Sequence, residues 1–184
     1  MYSEEELIKG CISEKRECQK LLYQKFAGKM LAVCFRYCKN RDEAEDILQE
    51  GFIKVFKNIG KFQNLGSFEG WIRRIMVNTA LEEIRRKKNQ LLTDDIDTIY
   101  VQPESDIRTE ENINAKELVK LIQALPAGYQ VVFNLSVIEG YTHKEIAGML
   151  GINEGTSKSQ LAKARTYLQR LINKNEQIKE TEKS

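Results

Sequence analysis

The sequence predicts an all-α protein: two small helical domains joined by a flexible acidic linker, the C-terminal one containing a helix-turn-helix. Only two prolines and 11 glycines punctuate 184 residues, whereas strand-rich folds need turn residues every roughly 8 to 12 positions. Apolar residues recur at intervals of three and four on both sides of a central break, the mark of amphipathic helices. The break is acidic. Residues 87–112 carry 3 Lys/Arg against 7 Asp/Glu, between blocks with 16 against 13 and 10 against 7. The expected division is a helical domain at 1–88, a linker at 89–112, a helix-turn-helix domain at 113–173 and a polar, fraying tail at 174–184.

The first helix is expected to start at Ser3, whose hydroxyl can cap the acidic turn Glu4-Glu5-Glu6. Ser13 is read as the cap of a second helix reaching about Cys38, with Leu22, Phe26, Met30, Val33 and Tyr37 on one face. Asn40 starts a third, to about Ile59. Its buried stripe is Ala44, Leu48, Phe52, Val55 and Ile59, while Asp46, Gln49, Glu50 and Lys54 line a polar face. Gly51 sits mid-helix, where it costs roughly 1 kcal/mol relative to alanine, so a close approach to that face is expected. Residues 60–67 read as a loop because the periodicity lapses between two glycines. A fourth helix, Phe68 to about Lys88, turns Phe68, Trp71, Ile72, Ile75, Met76 and Thr79 inward and Arg74, Asn78, Glu82 and Arg85 outward. Its basic end suits the negative end of a helix dipole.

After the linker, helices are expected at Ile113 to Ala124, before Pro126, and at about Ala127 to Ile138. Thr142 and Glu145 form a capping box, Ile146, Ala147 and Leu150 face inward, and Gly151 stops the helix. Asn153 caps a last helix from Glu154 to about Ile172. A short helix, a three-residue turn and a longer helix spell helix-turn-helix.

Several chemistries lose their footing. The net charge of +2 makes no polycation. No run of about 18 apolar residues exists, and the N-terminus lacks a signal peptide's pattern, so a cytoplasmic location without stable membrane insertion is expected. Cys11, Cys18, Cys34 and Cys38 then read as reduced, buried structural thiols, since zinc wants four ligands and the single histidine, His143, is distant. His143 has no nucleophile in pattern and reads as a solvent-exposed helix residue. No phosphate-cradling glycine loop or His/Glu metal motif is present. The protein is expected to be no enzyme and to need no cofactor.

The start of a second helix in a helix-turn-helix enters the major groove. Lys158, Ser159, Gln160 and Lys163 are its plausible readers and Arg165 a phosphate contact, against the bland reading of a solvated basic face. Arg74, Asn78 and Arg85 divide evenly between DNA contacts and ordinary surface charge. Trp71 reads as core before base-stacking platform. Gln63 and Asn64, beside a basic helix, form a candidate pocket for an unstacked base.

These residues resemble the extracytoplasmic-function (ECF) group of the bacterial sigma-70 family. Asp42 to Glu50 looks like that family's polymerase-clamp-binding helix, and Phe68 to Asn78 like its promoter-melting helix. Leu125-Pro126 with Val131 to Leu135, and Tyr141 to Ala147 through Glu154-Gly155-Thr156, resemble its C-terminal domain. The resemblance spans about Leu22 to Ile172. It implies core RNA polymerase, promoter DNA and an anti-sigma factor as partners. It assigns polymerase binding to Asp46, Gln49, Glu50, Phe52 and Val55. Capture of the opened minus-ten strand falls to Gln63, Asn64, Leu65, Arg74 and Asn78, and duplex reading of the minus-thirty-five element to the helix carrying Lys158 to Arg165. It also implies that the linker threads a basic polymerase channel. The family usually carries another residue at Gly51, aspartate at Glu82, a branched apolar residue at Ser157 and arginine at Gln160 and Lys163. An unusual minus-thirty-five preference follows, since glutamine suits adenine and lysine only partly replaces arginine. Two other readings are a helix-turn-helix regulator whose N-terminal helices bind another protein or a ligand, and a sequestering protein of the anti-sigma type. The presence of both promoter-reading blocks argues against the latter.

Overall fold

A computed structural model describes the backbone of residues 2–91 and 113–181, and the side chains of residues 2–87 and 117–173. The chain falls into two compact units, Met1–Val101 and Gln102–Ser184. Every described secondary-structure element is helical. The acidic segment expected to link the units lies, from residue 92 to 112, outside the described residues.

The first unit holds α1 (Glu4–Ile12), α2 (Arg16–Phe35), α3 (Arg41–Asn58), a single tight turn (Ile59–Lys61) and α4 (Phe68–Leu91). Ser3 caps α1 reciprocally: the Glu6 amide donates to Ser3 Oγ at 3.2 Å, and the Ser3 amide donates to the Glu6 carboxylate at 2.7 Å. Ser13 does not cap α2. It closes α1, its amide donating to the Lys9 carbonyl at 3.1 Å, and α2 starts only at Arg16. The chain reverses through Glu14, at φ 56°, and the Lys15 amide donates back to the Gly10 carbonyl at 2.9 Å. The serine is spent on the turn. At the other end α2 stops at Phe35, and residues 36–38 curl into a turn in which the Tyr37 amide donates to the Cys34 carbonyl. Asn40 caps α3 by accepting from the Glu43 amide at 2.9 Å.

The core of this unit is where α2, α3 and α4 meet. Leu22, Phe26, Met30, Val33 and Tyr37 are buried, as is the whole stripe Ala44, Leu48, Phe52, Val55 and Ile59. On α4, Phe68, Ile72, Met76 and Thr79 are buried, together with Val77, Ala80 and Leu81, which a one-stripe reading omits; Trp71 and Ile75 are half-buried. α4 is enclosed on a wider arc than one stripe because both α2 and α3 pack on it. Gly51 is buried in that packing. A Cβ there would overlap Met76 Sδ and stand 3.0 Å from its Cε. The close neighbour is therefore the protein's own α4, on the buried side of α3, and not a body pressing on its polar face. The four cysteines are buried thiols. Burial pushes Cys11 up to about 11 and Cys34 up to about 12, and drives Cys38 upward as well, the behaviour of inert packing residues.

The second unit holds α5 (Ile113–Gln123), α6 (Ala127–Phe133) running on into a wide π turn (Asn134–Ile138), α7 (His143–Leu150) and α8 (Glu154–Thr181). Ile122, Leu125, Val131, Val132, Leu135, Ile146, Leu161, Ala164 and Leu168 are buried. Thr142 and Glu145 form the expected capping box. Gly151 ends α7 at φ 66°, in the left-handed region where a side chain is disfavoured. The Thr156 amide donates to Asn153 Oδ1 at 2.7 Å and so opens α8. Ile146 is enclosed, whereas Ala147 and Leu150 are only half-buried. α8 runs past Ile172 to Thr181, because residues 173–181 contain neither glycine nor proline to stop it. Most of the expected fraying tail is thus helix, and residues 182–184 lie outside the described ones.

Candidate functional site

Three surfaces carry the candidate residues. On α3, Asp42, Asp46, Gln49, Glu50, Ile53 and Lys57 are exposed. At about 100° of rotation per residue they fall on one face, with Ile53 near its centre. Ile53 is 53% exposed, an apolar side chain out of phase with the buried stripe, and that misfit was the signal a reading by stripes alone passed over. Lys54 borders this face, its ammonium 3.0 Å from Glu50 and 2.6 Å from Glu82 of α4. Phe52 and Val55 do not belong to the surface. They are 3% and 0% exposed, and the Phe52 ring packs on Tyr23 at 4.7 Å. Their helical phase, shared with Ala44, Leu48 and Ile59, puts them in the core and not among the side chains this face exposes.

The second surface is the loop between the tight turn and α4. Gln63, Asn64 and Leu65 are all exposed, Leu65 to 88%. Asn64 sits at φ 55°, a left-handed conformation that asparagine tolerates better than most residues. Behind the loop, Phe62 packs on Phe68 at 5.0 Å and on Trp71 at 5.7 Å, and Phe68 and Trp71 stack with planes 16° apart. Ser67 fixes the start of α4 by accepting from the Gly70 amide at 3.1 Å. Arg74 and Asn78 are exposed one turn apart on α4, and half-buried Trp71 lies one turn before Arg74. Trp71 is thus neither a fully enclosed core residue nor an open platform.

The third surface is the first half of α8. Gly155, Ser159, Ala162 and Thr166 are exposed in a narrow strip of small side chains, at spacings of four, three and four. Exposed Lys158 and Arg165 flank it on one side, Lys163 and Arg170 on the other. Lys158 pairs with Glu154 at 2.7 Å, and that hydrogen bond holds the Glu154 carboxyl below its usual range. Ser159 Oγ donates to the Thr156 carbonyl at 3.0 Å. Gln160 lies apart: it is half-buried, and its amide sits against Gly128 of α6, where an added Cβ would be 3.4 Å from Nε2. Lys163 borders a shallow cleft with Tyr129, Thr166, Tyr167 and Arg170. His143 departs from the exposed position expected of it. It is half-buried, with Nδ1 2.9 Å from Ser157 Oγ.

No group of three or more metal-ligating side chains occurs among the described residues, and no described helix is long and apolar enough to cross a membrane.

Two family models match in order along the chain: Sigma-70 region 2 over residues 22–90 and Sigma-70, region 4 over residues 115–168. The chain is 32% identical over 158 residues to the ECF RNA polymerase sigma factor SigW of Bacillus subtilis, covering 80% of this chain and 84% of that one. It is 31% identical over 151 residues to the ECF RNA polymerase sigma factor SigE of Mycolicibacterium smegmatis, covering 80% of this chain but only 58% of that longer relative. Among solved structures, the sigma factor RpoE crystallised with the anti-sigma factor NepR from Bartonella quintana matches with a TM-score of 0.57 at 20% identity, over 84% of this chain and 96% of that one. That last likeness is one of fold.

Proposed function

The chain belongs to the extracytoplasmic-function group of the sigma-70 family, and on that premise we propose how its two units divide the work of transcription initiation. It is an alternative sigma factor, directing core RNA polymerase to specific promoters; members of this family initiate transcription by binding and do no covalent chemistry of their own. The α3 face of Asp46, Gln49 and Glu50, centred on Ile53, grips the polymerase. The loop Gln63, Asn64 and Leu65, with Arg74 and Asn78, captures an unstacked base of the minus-ten element. The α8 strip reads the minus-thirty-five duplex.

One observation carries the duplex reading: small exposed side chains between two basic rails, on the second helix of a capped helix-turn-helix. Small residues let a helix approach base edges closely, while Lys158 and Arg165 on one side and Lys163 and Arg170 on the other match the two phosphate backbones that wall the major groove. Ser159 is then the reader nearest the groove floor, whereas Gln160 lies beyond the Lys163 rail and reaches a base only from outside the strip. Melting needs no chemistry. A site that binds an unpaired base better than a paired one shifts the duplex toward its open state by that differential affinity. The linker occupies a basic polymerase channel, its acidity complementing the wall. The protein works in the cytoplasm, where polymerase and promoters are, and an anti-sigma factor restrains it by covering the α3 and α8 faces.

The test is co-purification with core polymerase followed by promoter binding. Changing Asp46 or Glu50 to lysine should abolish the complex while leaving the fold intact. Polymerase association that survives both reversals refutes the α3 assignment, and duplex binding without any polymerase association would favour a simple helix-turn-helix regulator instead.

A further inference from the structure

We propose that His143 and Ser157 form a polar pin between α7 and α8, making His143 a positioning residue for duplex reading; the inference rests on assigning α8 to the minus-thirty-five element. Ser157 is the fourth residue of α8 and is 0% exposed. Its hydroxyl lies 2.9 Å from Nδ1 of His143, the first residue of α7. Both anchor points are themselves fixed. Thr142 and Glu145 lock the start of α7 through their capping box. Asn153 locks the start of α8 by accepting from the Thr156 amide through its side chain and from the Ser157 amide through its carbonyl. The pin therefore joins one rigid helix start to another.

A branched apolar residue, which the family resemblance implies for position 157, would hold the two helices by dispersion alone, and such contacts tolerate small slides and rotations. A hydrogen bond is directional and weakens steeply as its angle or length departs from ideal. It also cannot be given up cheaply, because a buried hydroxyl without a partner bears its full desolvation cost. The residues on either side of the pin are those the strip presents first: Gly155, Lys158 and Ser159 all lie within two positions of Ser157 and are exposed. Rotating the first turn of α8 moves Gly155 and Ser159 against the base edges. Lys163 and Arg165, further along, keep their approach to phosphates. Loss of the pin should therefore erode discrimination between sequences more than overall affinity for DNA.

The experiment compares Ser157→Thr with Ser157→Val. The two variants add nearly the same volume at position 157 and differ in the hydroxyl, so any cost of crowding cancels. Each protein is assembled with core RNA polymerase, and its binding is measured on a duplex that the wild-type holoenzyme has selected from a randomised minus-thirty-five pool, against a duplex with that element scrambled. Ser157→Val should lose about tenfold in preference, the low end of the cost of leaving the half-buried His143 ring without its partner, while Ser157→Thr stays within about twofold of wild type. Because His143 is the chain's single histidine, imidazole nitrogen NMR needs no assignment. Wild type and Ser157→Thr should show one defined tautomer, and Ser157→Val a mixture.

His143→Leu provides a second approach from a position where the helix start tolerates substitution. It should lose preference as Ser157→Val does, and His143→Leu combined with Ser157→Val should recover most of it, since an apolar pair leaves nothing orphaned. Equal preference in Ser157→Val, Ser157→Thr and His143→Leu overturns the pin. A wild-type holoenzyme that selects no sequence from the pool overturns instead the duplex reading on which the inference stands.

Discussion

Ile53 offers the sharpest separation between a surface that binds and a core that folds. Its side chain is 53% exposed in the centre of the polar α3 face, whereas its neighbour Phe52 is 3% exposed. Fully burying an isoleucine side chain is worth about 1.5 to 3 kcal/mol. The exposed half leaves about 0.8 to 1.6 kcal/mol for a partner to gain by covering it, about a 4- to 15-fold change in affinity at 1.4 kcal/mol per decade. Ile53→Ala should therefore weaken binding to core polymerase by that factor in a competition assay against wild type. Its stability should fall by no more than about 0.7 to 1.4 kcal/mol, the share of the already covered half of the side chain, and alanine's higher helix propensity offsets part of that. Phe52→Ala should do the reverse: a loss of about 3 to 5 kcal/mol of stability, with polymerase affinity changed only as far as the fold is lost. Ile53→Ala binding polymerase like wild type, with Phe52→Ala remaining fully folded yet failing to bind, would refute the assignment of these two residues to surface and core.

Three further outcomes follow from the packing and the surfaces. Gly51→Ala gains roughly 1 kcal/mol of helix propensity but forces buried Met76 aside, an overpacking cost of about 1 to 3 kcal/mol, so chemical denaturation should show net destabilisation; the cost should shrink when Met76 is already alanine, and additive effects would contradict the contact. Asn64→Ala should slow open-complex formation while leaving duplex binding intact, measured by permanganate reactivity of unpaired thymines against filter binding; equal losses in both would remove the loop from strand capture. Lys163→Ala should weaken promoter binding by about 1 to 3 kcal/mol if it contacts a base, or reduce the salt dependence by about one phosphate contact across all sequences if it contacts backbone, and a binding curve unchanged in both respects would exclude it from the interface.

Much of this architecture was legible because its local signals agree with one another. The capping boxes at Ser3 and Thr142, the caps at Asn40 and Asn153 and the left-handed Gly151 all name element ends by side-chain chemistry that acts within three or four residues. Ser13 misled because the same hydroxyl type serves turns and helix starts, and the choice was made by a reversal at Glu14 that no short-range preference announces. The end of α8 is hidden for a related reason: polarity suggests fraying, yet polar residues without glycine or proline can remain helical. Within the candidate site, helical phase already separates the buried side chains of α3 from the exposed ones. Phe52 and Val55 share the phase of the buried stripe, and the periodicity that identifies α3 places them inside. Ile53 has the opposite phase, and an isolated apolar residue on a polar face is common enough to carry no signal by itself. His143 and Ser157 are 14 residues apart, and only the docking of α7 on α8 brings them together.

The most direct test of the whole account is transcription from purified components. Core polymerase supplemented with this protein should yield a discrete transcript from a promoter selected by the holoenzyme, and should yield none without the protein or when the minus-ten element is scrambled. Stable binding to core polymerase with no promoter-dependent transcript from any selected template would contradict the central claim.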